Sequence, residues 1–261
     1  MRTFQLLGQN IAYSLSPAIH AAALAHLGLP HRYIITEATA STLPELIRAL
    51  RGTTGGANVT VPFKTTAARA CDHLTADAAA MGAVNTIVVE GDRLLGHNTD
   101  LPAVAAEIDA LRPDGAHHAV VLGNGGASLA VQRALASRAE RVTVAQRRDG
   151  TLPTAHELLA TADLLVNATP IGTGSAETPI DPRFLHPGLA VLDLVYRPTP
   201  TALARAAAGV GAPAASGGGM LVGQAWRSLA LWLRADGVEV TEEIAPIMET
   251  ALLERLEAED A

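Results

Sequence analysis

The stretch His118-Ala119-Val120-Val121-Leu122-Gly123-Asn124-Gly125-Gly126-Ala127-Ser128 decides the fold. His118 to Leu122 is a short apolar run closed by glycine, which reads as a buried strand. Gly123 permits a tight turn, and Gly125 lets the backbone come close to a ligand. The helix expected over Ser128 to Arg138 would open with free N–H groups and a positive dipole end, both suited to a pyrophosphate. Arg141 to Ala145 reads as the next strand. The resulting strand–helix–strand unit predicts a parallel sheet with a right-handed crossover. The third fingerprint position holds Ser128 rather than Gly or Ala. A ligand-free glycine turn and the glycine-rich first loop of a methyltransferase are alternatives at this point.

The end of the second strand bears on the choice. A dinucleotide site that takes NAD usually carries an acid there for the ribose hydroxyls. This chain reads Ala145-Gln146-Arg147-Arg148, with no acid before Asp149. Guanidinium groups pair with phosphate in a bidentate fork, so the pattern favours NADP over NAD and weakens the methyltransferase reading. The alternative is that both arginines are solvated loop residues.

Working outward, Asp163 to Ala168 and Leu189 to Val195 add two buried strands, Pro213 to Gly219 reads as a loop, and Met220 to Arg234 and Thr241 to Leu256 read as helices. Toward the N-terminus, strands are expected at Phe4 to Gly8, Arg32 to Thr36 and Gly55 to Val61. A helix to about His26 would be capped by Ser16 with Pro17 at its first position. Another, Thr42 to Arg51, would carry a capping box of Thr42 and Glu45. Thr65 to Ala70 and Ala76 to Met81 read as helices, and a hairpin is expected about Gly91-Asp92. The fold class is α/β: an N-terminal substrate domain, a Rossmann-like doubly wound domain, and C-terminal helices that return to the first. The expected boundaries are 1–101, 102–217 and 218–261.

Composition fits this and excludes other classes. The chain has 261 residues, 49% of them hydrophobic but only 3% aromatic, so its cores are built from Ala, Leu and Val. The formal net charge of −7 and the lack of a basic run argue against nucleic acid as a partner. No run approaches the roughly 18 apolar residues of a membrane helix. Cys71 is the only cysteine, reads as a packing residue and fits a reducing cytoplasm.

Three N-terminal clusters are unusually polar. Ser14-Leu15-Ser16 offers two hydroxyls on one side of a loop. Asn58 and Thr60 share a face of an expected strand, with Lys64 just beyond Pro62. Asn85-Thr86 and Asn98-Thr99-Asp100 add amides, hydroxyls and a carboxylate. This set suits a small polyhydroxylated carboxylate, with Lys64 and Asp100 as candidates for acid–base chemistry. As alternatives, Lys64 would be a surface residue at a helix start and Asp100 an N-cap. No metal site is expected.

Taken in order, SLSPAIH (Ser14 to His20), NVTVPFK (Asn58 to Lys64), GAVNT (Gly82 to Thr86), NTD (Asn98 to Asp100), GNGGA (Gly123 to Ala127), NATPIG (Asn167 to Gly172), DLVYRP (Asp193 to Pro198) and GGGMLVGQA (Gly217 to Ala225) resemble the motifs of the shikimate dehydrogenases over nearly the whole chain. The resemblance implies NADPH-dependent reduction of 3-dehydroshikimate to shikimate in aromatic amino-acid biosynthesis. It implies substrate contacts from Ser14, Ser16, Asn58, Thr60, Asn85, Tyr196 and Gln224, with Lys64 and Asp100 as the catalytic pair. It places NADP on Gly123, Asn124, Gly125, Gly126 and Ala127 and on Gln146, Arg147 and Arg148, with Leu194 and Gly217 near the nicotinamide. A cytoplasmic enzyme, with a homodimer as an open expectation, goes with it.

The chain departs from the family's usual pattern at several places. Asn10 and Tyr13 stand where Pro and His are common, Leu101-Pro102-Ala103 where Gly-x-Gly is common, and Thr173 where Met is usual. The segment 149–162 is short, which predicts loss of a strand or helix beside the 2′-phosphate site. The rival readings are a quinate/shikimate dehydrogenase paralogue with NAD or relaxed substrate use, a non-catalytic metabolite sensor, and a folate-type dehydrogenase. The last would carry Tyr-x-x-x-Lys, but position 60 is Thr.

Overall fold

The computed structural model describes residues 1–146 and 150–260. The chain divides into two compact units, Met1–Asp100 with Val222–Ala261, and Leu101–Leu221. The first holds β1 (Thr3–Gly8), α1 (Ser16–His26), β2 (Arg32–Glu37), α2 (Leu43–Arg48), β3 (Gly56–Val59), α3 (Lys64–Ala70), β4 (His73–Leu74), α4 (Ala76–Met81), β5 (Thr86–Glu90) and β6 (Arg93–His97). Its six-stranded sheet runs β2-β1-β3-β5-β6-β4. β1 lies parallel to β2 and β3, while β5 is antiparallel to β3 and to β6, giving the expected hairpin at Gly91-Asp92.

The helix α5 (Asp100–Leu111) carries the chain into the second unit. There follow β7 (Ala116–Leu122), α6 (Gly126–Leu135), β8 (Ala139–Ala145), α7 (His156–Leu159), β9 (Leu164–Asn167), β10 (Ala190–Asp193), α8 (Ala202–Gly209) and β11 (Ala214–Ser216). The five strands are parallel, in the order β11-β10-β9-β7-β8. This is the doubly wound architecture expected from the glycine turn. β9 and β10 are buried along their whole length, as strands with both faces covered must be. Val120, Leu122, Leu165 and Val191 share one core with Leu159 of α7 and Leu203 of α8. The chain moves outward from β7 to β8 and then restarts on the other side at β9, so the switch point lies between β7 and β9.

The helices α9 (Gly218–Leu233) and α10 (Ala245–Asp260) close the chain. From Val222 onward they belong to the first unit. Trp232 of α9 stacks on Phe4 at 4.7 Å, and its indole N–H donates to the Ile87 carbonyl at 2.9 Å, fastening α9 to the first sheet. α10 packs on α1.

Several local expectations are corrected. Leu15, not Ser16, is the N-cap of α1; Ser16 is its first residue, and its N–H donates to the Ser14 hydroxyl at 3.3 Å. The buried stripe Ser16, Ile19, His20, Ala23, Leu24 then follows helical spacing. The Thr42 capping box does not form, because the Thr42 hydroxyl turns back to accept the Thr39 N–H at 2.9 Å. The loop at 213–219 contains β11, recruited by pairing with β10. The last helix starts as a 3₁₀ turn, Glu242–Ile244, before α10. β4 was not expected; two residues carry too little pattern to read. Segment 149–162 holds only a 3₁₀ turn at Leu152–Thr154 and the single turn of α7 among its described residues. Against the six-strand doubly wound order, no strand lies beyond β8 among the described residues. Cys71 is half-buried, and burial pushes its thiol up to about 11, so it stays protonated and packs.

His20 is fully buried, lies 4.1 Å from the Tyr33 ring in a stacked pair, and neither ring nitrogen has a hydrogen-bond partner. Burial pulls its pKa down to about 3. An unfolded imidazole titrates near 6.5. Between these values the unfolded chain holds a proton that the folded chain does not. The stability is therefore complete above about pH 6.5 and falls as the pH drops toward 3, by up to about 1.4 kcal/mol per pH unit from this group. His20→Phe, which keeps a ring against Tyr33, is expected to flatten the fall of the unfolding midpoint between pH 6.5 and 4. Parallel curves for the two proteins would remove His20 from the acid response.

Candidate active site

In the first unit the loop after β1 is clamped by a carboxylate. The Glu37 carboxylate accepts the N–H groups of Asn10 and Ile11 at 2.8 and 2.7 Å, where Asn10 takes a left-handed φ of 57°. That clamp sets the course of the chain into Ser14 and Ser16, whose hydroxyls are 3.2 Å apart, Ser14 donating. Ser16 is also hydrogen-bonded to Tyr33, whose phenol is pushed far above its usual range, chiefly by burial.

Lys64 and Asp100 are brought together from the starts of two helices. β3 ends at Val59, and the Thr60 N–H donates to the Leu7 carbonyl at 2.9 Å, so Thr60 continues alongside β1 with its methyl toward Gly8. The chain then turns into α3, which Lys64 opens. Its ammonium donates to Asp100 Oδ2 at 2.7 Å, with side chains 17% and 8% exposed. Such a pair withstands desolvation only where its remaining polar atoms are satisfied. Asn85 Nδ2 supplies this for the carboxylate, donating to Asp100 Oδ1 at 3.0 Å and to Thr99 Oγ1 at 2.8 Å, while Asn85 Oδ1 accepts the Thr99 N–H at 2.8 Å.

Asn58 sits behind this cluster, 4% exposed. Its Oδ1 accepts the Tyr33 hydroxyl at 2.8 Å, and its Nδ2 reaches the Asn85 carbonyl, Thr86 Oγ1 and Ser228 Oγ, each at 3.0 Å. Ser228 of α9 donates to the Gln224 carbonyl one turn earlier, at 2.9 Å. A chain of hydrogen bonds thus joins Ser14, Ser16, Asn58, Asn85, Asp100, Lys64 and the backbone of Gln224. Among the described residues Thr60 is tied to Leu7 and Gly8 instead. Sequence reasoning placed Thr86 and Thr99 in the polar set suited to a substrate but gave neither a contact of its own, and it missed Tyr33 and Ser228. The signal for Ser228 is one hydroxyl in the apolar run of α9, a turn after Gln224. Lys64 carries a further signal in its rarity: it is the only lysine in the chain, against eighteen arginines.

In the second unit the glycine turn has the shape that an anion needs. Gly123 has φ +98°, and a Cβ there would stand 2.9 Å from the Ala168 carbonyl oxygen, across the β7–β9 switch point. Gly125 is the N-cap of the ten-residue α6, with open space where its Cβ would be and no acid in the first turn of the helix. Asn124 and Gly125 are exposed, and Gly126 and Ala127 partly so. Ser128, at the irregular third position, is buried and closes the turn: its hydroxyl donates to the Gly123 carbonyl at 2.7 Å and accepts from Gln132 at 3.0 Å. Gln146 follows β8 and donates its N–H to Thr151 Oγ1 at 2.9 Å. Arg147 and Arg148 lie outside the described residues.

Beyond β10, Leu194 and Gly217 are in contact, and a Cβ on Gly217 would collide with the Leu194 carbonyl. Tyr196 follows, half-buried. The preceding Asp193 is buried and receives Asn167 Nδ2 at 2.8 Å; burial raises its pKa. Among the described residues no helix is long and apolar enough to cross a membrane, and no group of three or more His, Cys, Asp or Glu could hold a metal ion.

The family described as "Shikimate dehydrogenase substrate binding domain" matches residues 6–87. The chain is 36% identical to a shikimate dehydrogenase (NADP(+)) of Pelodictyon phaeoclathratiforme, over 87% of this chain and 90% of that protein. Among solved structures it is similar to shikimate 5-dehydrogenase of Thermus thermophilus in complex with NADP(H) and shikimate, with a TM-score of 0.84 and 33% identity over 98% of this chain and 100% of that one. It is also similar to quinate dehydrogenase of Corynebacterium glutamicum in complex with NAD, with a TM-score of 0.84 and 26% identity over 97% and 98% of the two chains.

The two glycines of the turn separate by mutation. Gly123→Ala forces a left-handed φ on a side chain and crowds the Ala168 carbonyl, so a stability loss of about 1–2 kcal/mol is expected. Gly125→Ser keeps a good N-cap but places a side chain in the open space. Its unfolding midpoint should be unchanged, while dinucleotide affinity measured by calorimetry falls at least about tenfold, ~1.4 kcal/mol. Unaltered affinity would mean that no ligand approaches Gly125.

Proposed function

The chain belongs to the shikimate dehydrogenase family, and on that premise we propose that it reduces 3-dehydroshikimate to shikimate, reversibly and with NADPH. The observation that carries the chemistry is the ammonium of Lys64, 2.7 Å from the Asp100 carboxylate. A guanidinium does not give up its proton near neutral pH, whereas an ammonium can. A chain that uses arginine at every other basic position keeps lysine at this one.

The α6 turn fits a dinucleotide, with open space at Gly125, free N–H groups and no opposing acid. A dinucleotide held by that turn would supply, from its reduced nicotinamide, the hydride for the substrate carbonyl carbon. Lys64 meets the carbonyl oxygen and delivers the proton that completes the new hydroxyl; Asp100 holds Lys64 in place and touches a neighbouring substrate hydroxyl. In the reverse direction the Lys64 amine takes that proton back. Ser14 and Ser16 offer their hydroxyls to the substrate carboxylate. Thr60, Tyr196 and Gln224 contact the ring substituents, and Asn58 and Asn85 act at the back of the site. Gln146, Arg147 and Arg148 would hold the 2′-phosphate, and Leu194 and Gly217 would serve the nicotinamide end. A cytoplasmic location and a homodimer belong to the same proposal. A second reading is a paralogue with NAD or quinate use; the short crossover after β8, beside the loop that chooses between cofactors, is what favours it.

The test is cofactor reduction followed at 340 nm, with shikimate or quinate crossed against NADP or NAD. NADPH formation from shikimate alone is the expected result. Turnover of quinate or NAD at comparable rates would select the paralogue, and no turnover by folded protein would favour the non-catalytic sensor. Lys64→Ala should lower kcat at least about 10²-fold, the low end for an acid–base group. Lys64→Arg should not restore it, although the positive charge is kept.

A further inference from the structure

Counting protons in the buried network singles out a residue that no motif names. Asn85 Nδ2 uses both hydrogens, on Thr99 Oγ1 and Asp100 Oδ1. Asn85 Oδ1 accepts the Thr99 N–H and the Thr86 hydroxyl, at 2.8 and 3.0 Å. The backbone N–H can only donate, so the orientation of this amide is fixed. Thr99 Oγ1 is then an acceptor toward Asn85, and its own proton must leave in another direction. Ser228 Oγ is the nearer acceptor at 3.1 Å, against 3.3 Å for Thr86 Oγ1. Thr86 sends its proton to Asn85, and its oxygen is already approached by Asn58 Nδ2 at 3.0 Å. Ser228 sends its proton to the Gln224 carbonyl at 2.9 Å or to Thr86 Oγ1 at 2.8 Å. In either setting its oxygen has two lone pairs for incoming protons, which serve Asn58 Nδ2 at 3.0 Å and the Thr99 hydroxyl at 3.1 Å. Ser228 is completely buried, away from bulk solvent.

We propose that Ser228 is a positioning residue for the proton-transfer pair: by accepting the Thr99 hydroxyl it keeps Thr99 an acceptor for Asn85, and Asn85 thereby holds Asp100 on Lys64. The same hydroxyl ties α9, the helix that bears Gln224, to the ends of β5 and β6 that lead to Asp100. This inference rests on the assignment of Lys64 and Asp100 to proton transfer. Without the Ser228 oxygen, the Thr99 proton has only the longer contact to Thr86 or a turn toward Asn85, which would break the bond that steadies the amide.

Two measurements on the intact protein test it. In steady-state kinetics with shikimate and NADP, Ser228→Ala is expected to lower kcat about tenfold, the scale on which residues behind a reactive group act, with the KM for NADP unchanged. Because Ser228 acts through Thr99, Ser228→Ala should have no further effect on kcat in a Thr99→Val background. A kcat within about twofold of the parent, or losses that multiply in the double variant, overturns the proposal. The second readout needs no turnover. Lys64 is the only lysine, so ¹⁵N-lysine labelling gives a single side-chain ammonium signal. Its exchange with water should quicken in Ser228→Ala, and an unchanged signal overturns the proposal. An inactive parent with an ammonium signal that does respond to Ser228→Ala would sink the assigned reaction and leave the positioning role standing.

Discussion

A carboxylate that is 8% exposed, facing an ammonium at 2.7 Å, imposes a condition on everything around it. Water does not satisfy these charges freely, so protein atoms must do so in fixed directions. Asp100 meets the condition with one oxygen on Lys64 and the other on Asn85. Asn85 then needs Thr99 and Thr86, and these need Asn58 and Ser228. The demand spreads until it reaches Tyr33 on β2 and the backbone of α9. The polar residues that look scattered along the sequence are consecutive members of one hydrogen-bonded chain in space. The first unit accordingly recruits a helix from the C-terminus, because one of the required oxygens is there.

The second unit solves a simpler problem. Its central strands β9 and β10 are buried on both faces and built mainly from aliphatic side chains, and the polar groups open to a ligand are gathered in the glycine turn. Gly123 makes that turn possible. Ser128 then does with a hydroxyl what the more usual glycine or alanine does by being small, since its bond to the Gly123 carbonyl fits inside the packing.

How far these features could be read from the chain depends on their range. The glycine turn, the parallel strands around it and the hairpin at Gly91-Asp92 are local patterns, and they stand where the pattern puts them. Lys64 and Asp100 were legible because short motifs carry them. The misread features are those settled by a partner elsewhere. Thr42 has the residue type of a cap, but Thr39 offers its N–H first. Residues 214–216 have the composition of a loop and become β11 only because β10 lies beside them. Ser228 belongs to the network through residues 129, 142 and 170 positions away along the chain, and no spacing rule reaches that far.

The short crossover after β8 has a consequence of a different kind. Among the described residues β8 pairs with β7 alone, so the nucleotide sheet ends in a strand whose outer row of N–H and C=O groups has no neighbour. Such a row is a template for another extended chain. The strand reads Ala139-Glu140-Arg141-Val142-Thr143-Val144-Ala145, and the two charged residues are exposed at its start. An incoming strand would have to desolvate both charges to pair there. A protein that economises on one strand has thus taken on a risk of aggregation, and it answers that risk with charge rather than with cover.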